Sequence, residues 1–438
     1  MNTYPFLSEE VLTKNLLSLR DSYAKESCFF LAWMDQSSQD LMAEKKFVVC
    51  GSVCRSEIKV LARNANVIAI VDDFLSKTQK EIFGIPVIDA DAWVELSRGD
   101  RSIVSCLLLP GPRAYQYFIK LAVQWDVRII LPLQFLHILN ACNVDKKNEP
   151  GRFFFYGSEF FHRTYENLDA LLSIKNIFED RYSKITWLHM LSYRMTLNPY
   201  YLEACSVGHL GEKFNLNSYS TNRQFFNFTE SEVYVDGGAF NGDTLEGFLQ
   251  AVSGKFKHIH AFEPSLENNK EIRNRLRRLQ DEYIKPLSSS ITLHEQGLWD
   301  SSGILEFNQN FGVDDFGDKS PVYALAAHMV DSGFVGHIYD AVLEKKASIQ
   351  VPVVSIDGAT DQSATFIKLE IEGSELKALH GAVKTIEKNK PKMAISVYHK
   401  PEDYETLTDF VLKTGQNYKL GFRQHNPFCP DATVLYCY

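Results

Sequence analysis

Hydrophobic and polar positions change their period several times along this chain, and each change marks an element. Residues 1 to 46 carry Leu12, Leu16, Leu17 and Leu19 between polar residues at mixed helical spacing, which predicts a helical lead-in packed on the adjoining domain. At Phe47 the pattern becomes a short apolar run, Phe47-Val48-Val49-Cys50, ending in Gly51. A helix-like stretch, Glu57 to Asn64, and a second run, Val67 to Val71, complete a strand, helix and strand. The alternation continues through Ile103 to Leu109, a helix around Ala114 to Trp125 and a strand from Val127 to Leu131. It predicts a small parallel α/β domain over residues 1 to 145, lead-in included.

Residues 146 to 230 form an aromatic and helical connecting region. Phe153, Phe154, Phe155, Phe160 and Phe161 come first, and helical spacing continues near 165 to 205. The aromatic cluster reads as interdomain core, with a self-association surface, and hence a homo-oligomer, as the other reading. Asn215 to Ser231 reads as a loop, which sets a boundary near 230. From Val233 to Tyr438 a second α/β alternation begins. Strands are expected at Val233 to Val235, His258 to Phe262, Ile291 to Gln296, Phe366 to Leu369 and Met393 to Tyr398. Helices are expected at Thr244 to Ala251, Leu266 to Leu279 and onward from Ser374, where Leu376, Leu379, Val383 and Ile386 share a face. Tyr418 to Phe422 and Val434 to Cys437 read as a closing antiparallel pair.

Composition narrows the functional classes. At about 150 residues per domain, 438 residues suggest two or three domains. With 46 basic and 55 acidic residues the net charge is -9, which argues against nucleic acid as a partner. Arg273, Arg275, Arg277 and Arg278 read as one solvated helix face. The 8 Cys stand singly, and Cys50 and Cys54 lack a nearby His, so reduced thiols in a cytoplasm are expected and no metal site there. No apolar run approaches the roughly 18 residues of a membrane span.

The chemistry concentrates in the second half. Asp236-Gly237-Gly238-Ala239-Phe240-Asn241-Gly242-Asp243-Thr244 joins a strand to a helix through small residues, so that backbone can approach a ligand at a strand's carboxyl end. Glu263-Pro264 ends the next strand about 21 residues after Gly242, the spacing at which a carboxylate reads a ribose diol. A dinucleotide pyrophosphate would be repelled by Asp236 and Asp243, whereas a sulfonium with an ammonium group would be attracted.

Together, Asp236 to Thr244, Phe262-Glu263-Pro264, the run Ile367-Lys368-Leu369-Glu370-Ile371-Glu372-Gly373-Ser374-Glu375 and Ser396-Val397-Tyr398-His399-Lys400-Pro401 resemble the FkbM family of S-adenosylmethionine-dependent methyltransferases, over about residues 225 to 438. Leu420 to His425 and Val434 to Tyr436 resemble that family's last two strands. The resemblance implies a seven-stranded, Rossmann-like class I methyltransferase fold with an antiparallel final hairpin, and methyl transfer to a sugar or polyketide hydroxyl. By the same resemblance Asp236, Gly237, Gly238, Phe240, Gly242, Asp243 and Thr244 line the methionine and ribose part of the cofactor. Glu263 and Pro264 lie at the ribose, and Gly297 and Leu298 near the adenine. The family usually has Asp where this chain has Glu370, which speaks against tight metal ligation there and leaves a divalent metal open.

Glu370, Glu372 and His399 are the candidate bases at the strands' carboxyl edge. Glu372 and Glu375 could instead cap the helix after Ser374, His399 could bond a turn, and His425 could pack in the final hairpin. In the first half, Val49 to Ser56, Val71-Asp72-Asp73 and Gly84 to Ile88 resemble the Rossmann-type domain found beside sugar-modifying enzymes. Val53 and Ser56 stand where its phosphate loop has glycines. The expected function is an S-adenosylmethionine-dependent O-methyltransferase acting on a saccharide or nucleotide-linked sugar in glycan biosynthesis. The competing expectations are a noncatalytic glycan or nucleotide-sugar binding protein and a nicotinamide-dependent sugar dehydrogenase.

Overall fold

The computed structural model describes residues 7–22, 46–51, 58, 62, 65–107, 112–127, 129–130, 158–207, 216–282, 290–309, 328–329, 347–427 and 430–438. The loop residues Val53, Cys54 and Ser56 and the aromatics Phe153 to Phe155 lie outside them.

Six strands build the first sheet: β1 (Lys46–Cys50), β2 (Asn66–Val71), β3 (Glu81–Ile82), β4 (Ile85–Ile88), β5 (Ile103–Leu107) and β6 (Ile129–Ile130). Their order is β3-β4-β2-β1-β5-β6, parallel except for the β3-β4 hairpin. β1 beyond Lys46 and β5 are buried throughout and apolar except for Ser105, the pattern of strands covered on both faces of a parallel sheet. Leu12 and Leu16 of the lead-in helix are fully buried in the same core as Phe47, Val49 and Ile70. Phe160 and Phe161 are buried there too.

The helix Arg181–Thr196 is buried along most of its length. Trp187 lies against Phe178, Tyr404 and Phe422, and Ser183 Oγ accepts the Phe422 N–H at 2.8 Å. The region between the two sheets is therefore core material for the second one. Asn215 to Ser231, expected as a loop, contains the 3-10 helix Leu216–Thr221 and sends Phe225 and Phe226 under the sheet; burial of these aromatics overrides the polar composition.

The larger sheet contains β7 (Val233–Gly237), β8 (His258–Phe262) and β9 (Ile291–His294). A third, unexpected sheet comes next: β10 (Gly297–Leu298), β11 (Gly303–Gln309), β12 (His328–Met329) and β13 (Ala347–Val354), in the order β10-β13-β11-β12. Its own small core is Trp299, Phe307, Val351 and Val353. β14 (Phe366–Leu369), β15 (Lys392–Ser396), β16 (Leu420–Gln424) and β17 (Thr433–Cys437) complete the larger sheet. Its order is β16-β17-β15-β14-β7-β8-β9, with β17 running antiparallel to both of its neighbours. This is the seven-stranded arrangement expected from the sequence.

One helix differs from expectation. The single helix from Ser374 through Ile386 is two, Glu375–His380 and Val383–Asn389. At the break, a Cβ on Gly381 would meet the Trp299 carbonyl oxygen at 2.2 Å, so the chain bends where only glycine fits. Among the described residues no helix is long and apolar enough to cross a membrane.

Candidate active site

Strand order reverses between β7 and β14, with β8 and β9 to one side and β15 to the other, so a crevice opens at their carboxyl ends. Asp236, at the tip of β7, is fully buried, and its Oδ2 accepts the Thr244 hydroxyl at 2.8 Å, tying strand to helix. The connecting turn has Gly238 at φ +75°, Phe240 at φ +45° and Gly242 at φ +85°. The N–H groups of Gly238 and Ala239 both donate to the Phe262 carbonyl, at 3.1 and 3.0 Å.

The glycines were expected to admit a ligand. Their nearest neighbours here are protein: a Cβ on Gly238 would lie 1.9 Å from the Glu370 carbonyl oxygen, and one on Gly237 would press on Leu298, Leu369 and the Lys368 carbonyl. They let the tips of β7 and β14 touch. Arg275, expected on a solvated face, reaches back to this turn, its Nε donating to the Asn241 carbonyl at 2.8 Å while Glu246 pairs with its guanidinium.

Glu263, at the tip of β8, is 6% exposed. One carboxylate oxygen accepts the Phe240 N–H at 3.0 Å and the other the Ser265 N–H at 2.9 Å. Burial pushes this carboxyl up to about 7 despite those bonds. The Asn268 side chain bonds the carboxylate as well, which leaves about one of its four lone-pair sites for a further donor. Pro264 is half-buried beside it. Asp243 opens the helix Asp243–Ala251, with its N–H bound to Asn241 Oδ1, and burial raises its carboxyl as well.

A lysine stands at the centre of the crevice. Lys368 is 1% exposed, and its ammonium donates to the carbonyls of Gly237 at 3.0 Å and Gly238 at 2.6 Å, lies 3.2 Å from Asp236 Oδ1 and 3.9 Å from Glu370 Oε2. Burial opposes its charge, but Asp236, Glu370 and Asp243 outweigh burial and raise it above the ordinary value. Glu370 in turn accepts the hydroxyls of Tyr219 and, at 2.7 Å, Tyr398, one on each oxygen. Its side chain is one-quarter exposed.

Glu372 sits next along the loop at φ +54°, a conformation that a glutamate adopts only where its surroundings impose it. His399, from the end of β15, is 3% exposed, with Nδ1 3.0 Å from Glu375 and Nε2 3.6 Å from Glu372. Burial disfavours its charge, yet Glu375 and Glu372 prevail and raise it to about 9. Glu375 is buried rather than displayed on the helix's first turn, and it also accepts the Ile371 N–H at 2.8 Å. Behind it Asp403 is pushed up to about 7 by burial and by Glu375.

Gly297 and Leu298 lie in β10, one strand beyond the tip of β9, and Leu298 packs toward Gly237. His425 is buried in the final hairpin, 2.6 Å from the Tyr436 hydroxyl, and burial, then Arg423, lower it to about 3. It is a neutral packing residue. Lys368, Tyr219, Tyr398 and Asp403 stand in this crevice or beside it without being expected there from the motifs. Only Lys368 carried a signal, a cation inside the apolar strand Phe366–Leu369. Among the described residues no three His, Cys, Asp or Glu side chains group as a metal site.

Residues 236–423 match the family model described as the methyltransferase FkbM domain. The solved structure of methyltransferase FkbM from Methylobacillus flagellatus KT is 24% identical, with 98% of this chain and 100% of that chain covered and a TM-score of 0.72, so the fold is shared along almost the whole length. A provisionally assigned rRNA-methylase from Clostridium thermocellum aligns at 11% identity over 51% of this chain and 94% of its own, with a TM-score of 0.28. No curated protein matches. Residues 236–423 of this chain, which include most of the seven-stranded sheet, are thus similar to the methyltransferase FkbM domain.

Proposed function

We propose that the chain is an S-adenosylmethionine-dependent O-methyltransferase whose acceptor is a hydroxyl of a saccharide or nucleotide-linked sugar, acting in glycan biosynthesis in the cytoplasm. One observation carries the donor reading: Asp236, Asp243, Glu263 and Glu370 converge at the tips of β7, β8 and β14, against the buried ammonium of Lys368. An anionic pyrophosphate about 4 Å from even one of these carboxylates would be repelled by about 4 kcal/mol at an effective dielectric near 20. A nucleoside bearing a sulfonium and an ammonium is attracted by the same groups.

The residues fit such a donor. Glu263, buried, pushed up to about 7 and with acceptor capacity left, suits a ribose hydroxyl donor. Asp236 and Asp243 suit the cationic methionine end. Bound there, the sulfonium would supply a methyl group already activated for attack by an oxygen lone pair, its carbon–sulfur bonding pair returning to sulfur. The chain's part is to hold the acceptor in line, where positioning contributes up to roughly 7–11 kcal/mol, and to take the hydroxyl proton.

Glu370 is the base in this reading. Two tyrosine hydroxyls fix it, and its partly exposed carboxylate can accept a third donor. His399, held as an imidazolium to about pH 9, orients Glu372 and does not accept the proton. The buried free thiols of Cys50, Cys106, Cys205 and Cys437 support a reducing compartment.

Calorimetric titration of S-adenosylhomocysteine tests the donor reading: one site per chain is expected, and no heat at millimolar ligand overturns it. Mass spectrometry of glycans from cells with and without the intact gene tests the acceptor. The expected difference is one methylene, and identical glycan masses overturn the acceptor class.

A further inference from the structure

We infer that Lys368 is a specificity-determining residue of the donor site. Its ammonium pins the Gly237–Gly238 turn to β14 and cancels one of the carboxylate charges around it, which sets how strongly the crevice prefers a cationic sulfonium nucleoside to its neutral thioether product. The inference rests on the donor reading above and adds a role that neither the family model nor the turn motif assigns.

Three features carry it. First, the cation is captive: Lys368 is 1% exposed on the central strand of the larger sheet, between two parallel neighbours, so solvent cannot screen it and it cannot swing away. Second, its partners are the turn itself. It donates to the Gly237 and Gly238 carbonyls, stands 3.2 Å from Asp236 and 3.9 Å from Glu370, and feels Asp243. Third, the formal charge of Asp236, Asp243 and Glu370 is reduced from three negatives to two by this one ammonium.

A more negative crevice would hold the sulfonium more tightly in the ground state. Its charge disperses as the methyl departs, so that extra binding would not be kept at the transition state. Lys368 limits this ground-state attraction while leaving enough carboxylate charge to recruit the donor.

The test compares dissociation constants of S-adenosylmethionine and S-adenosylhomocysteine by calorimetry in the full chain, without acceptor. Lys368→Met should raise the preference for the sulfonium over the thioether by about tenfold. Lys368→Arg, which keeps the charge, should leave the preference within about twofold, and Glu370→Gln, which removes one negative charge, should lower it. An unchanged preference in Lys368→Met, or a tenfold change in Lys368→Arg, overturns the inference. Should Lys368→Met fail to fold, the neutral Lys368→Gln and the Arg variant decide it. Absence of binding by either nucleoside in the unsubstituted chain would instead overturn the donor reading, so the two failures are distinct.

Discussion

Gly238→Ala probes the junction on which the site is built. Gly238 has φ +75°, where an L residue costs about 1–2 kcal/mol, and its new Cβ would stand 1.9 Å from the Glu370 carbonyl oxygen. That oxygen belongs to backbone at the tip of β14, so relief requires the strand tips to part, an overpacking cost of about 1–3 kcal/mol. The expected loss is about 2–5 kcal/mol of stability. Gly415→Ala is the internal control. Gly415 has φ +69° with nothing within 4 Å of its Cβ position, so it carries the conformational cost alone, about 1–2 kcal/mol. Urea unfolding of both variants, tracked by fluorescence and circular dichroism, measures the difference. S-adenosylhomocysteine affinity should fall in the first variant and hold in the second. Equal destabilisation of the two, within about 0.5 kcal/mol, would refute the claim that close approach of β7 to β14 demands glycine.

Individual groups carry further expectations. Glu263→Ala should weaken S-adenosylhomocysteine binding by about tenfold or more, through loss of the acceptor for a ribose hydroxyl, and unchanged calorimetric affinity removes the ribose assignment. Glu370→Gln should lower kcat by about 100- to 10,000-fold with donor affinity altered far less; full activity in a methyl-transfer assay sinks it as the base. Burial raises the Glu263 carboxyl from 4.5 to about 7, so the native state holds its proton more tightly than the unfolded chain does. Its contribution to stability is present below about pH 4.5 and is lost as pH rises through about 7, with a slope of up to about 1.4 kcal/mol per pH unit; Glu263→Gln should flatten that slope in denaturation series. His399 is raised from 6.5 to about 9 by Glu375 and Glu372 against the effect of burial. Its stabilisation is complete below pH 6.5 and disappears as pH climbs through about 9. His399→Gln should erase that alkaline loss, and a loss of the same size in the variant rejects the ion-pair account.

Local signals in the sequence reached far. Alternating apolar runs and helical faces located every parallel strand of the larger sheet, and the closing hairpin was visible in Tyr418 to Phe422, found two residues later at Leu420–Gln424, and Val434 to Cys437, because strand and helix periods are local properties. The turn Asp236 to Thr244 and the carboxylate Glu263 stood out because glycine, acidic residues and strand ends occur there in one short stretch. The sheet β10-β13-β11-β12 was missed: β10 and β12 are two residues each, and β11 pairs with β13 across a long separation. The break at Gly381 was missed as well, since its cause, the Trp299 carbonyl, lies far away in the chain.

The sequence by itself determined the strands of the larger sheet, the excess of acid over base and the short motifs at strand ends. Tertiary structure alone decided which charges face one another. Tyr219 donates to Glu370 across 151 positions, Lys368 reaches the Gly237 carbonyl across 131, and Glu375 turns inward to His399 instead of capping its helix. Propensity and periodicity depend on neighbours within about a turn or a strand pair. The charge of a buried site depends on distance and desolvation, which exist only after strands remote in sequence have been laid side by side.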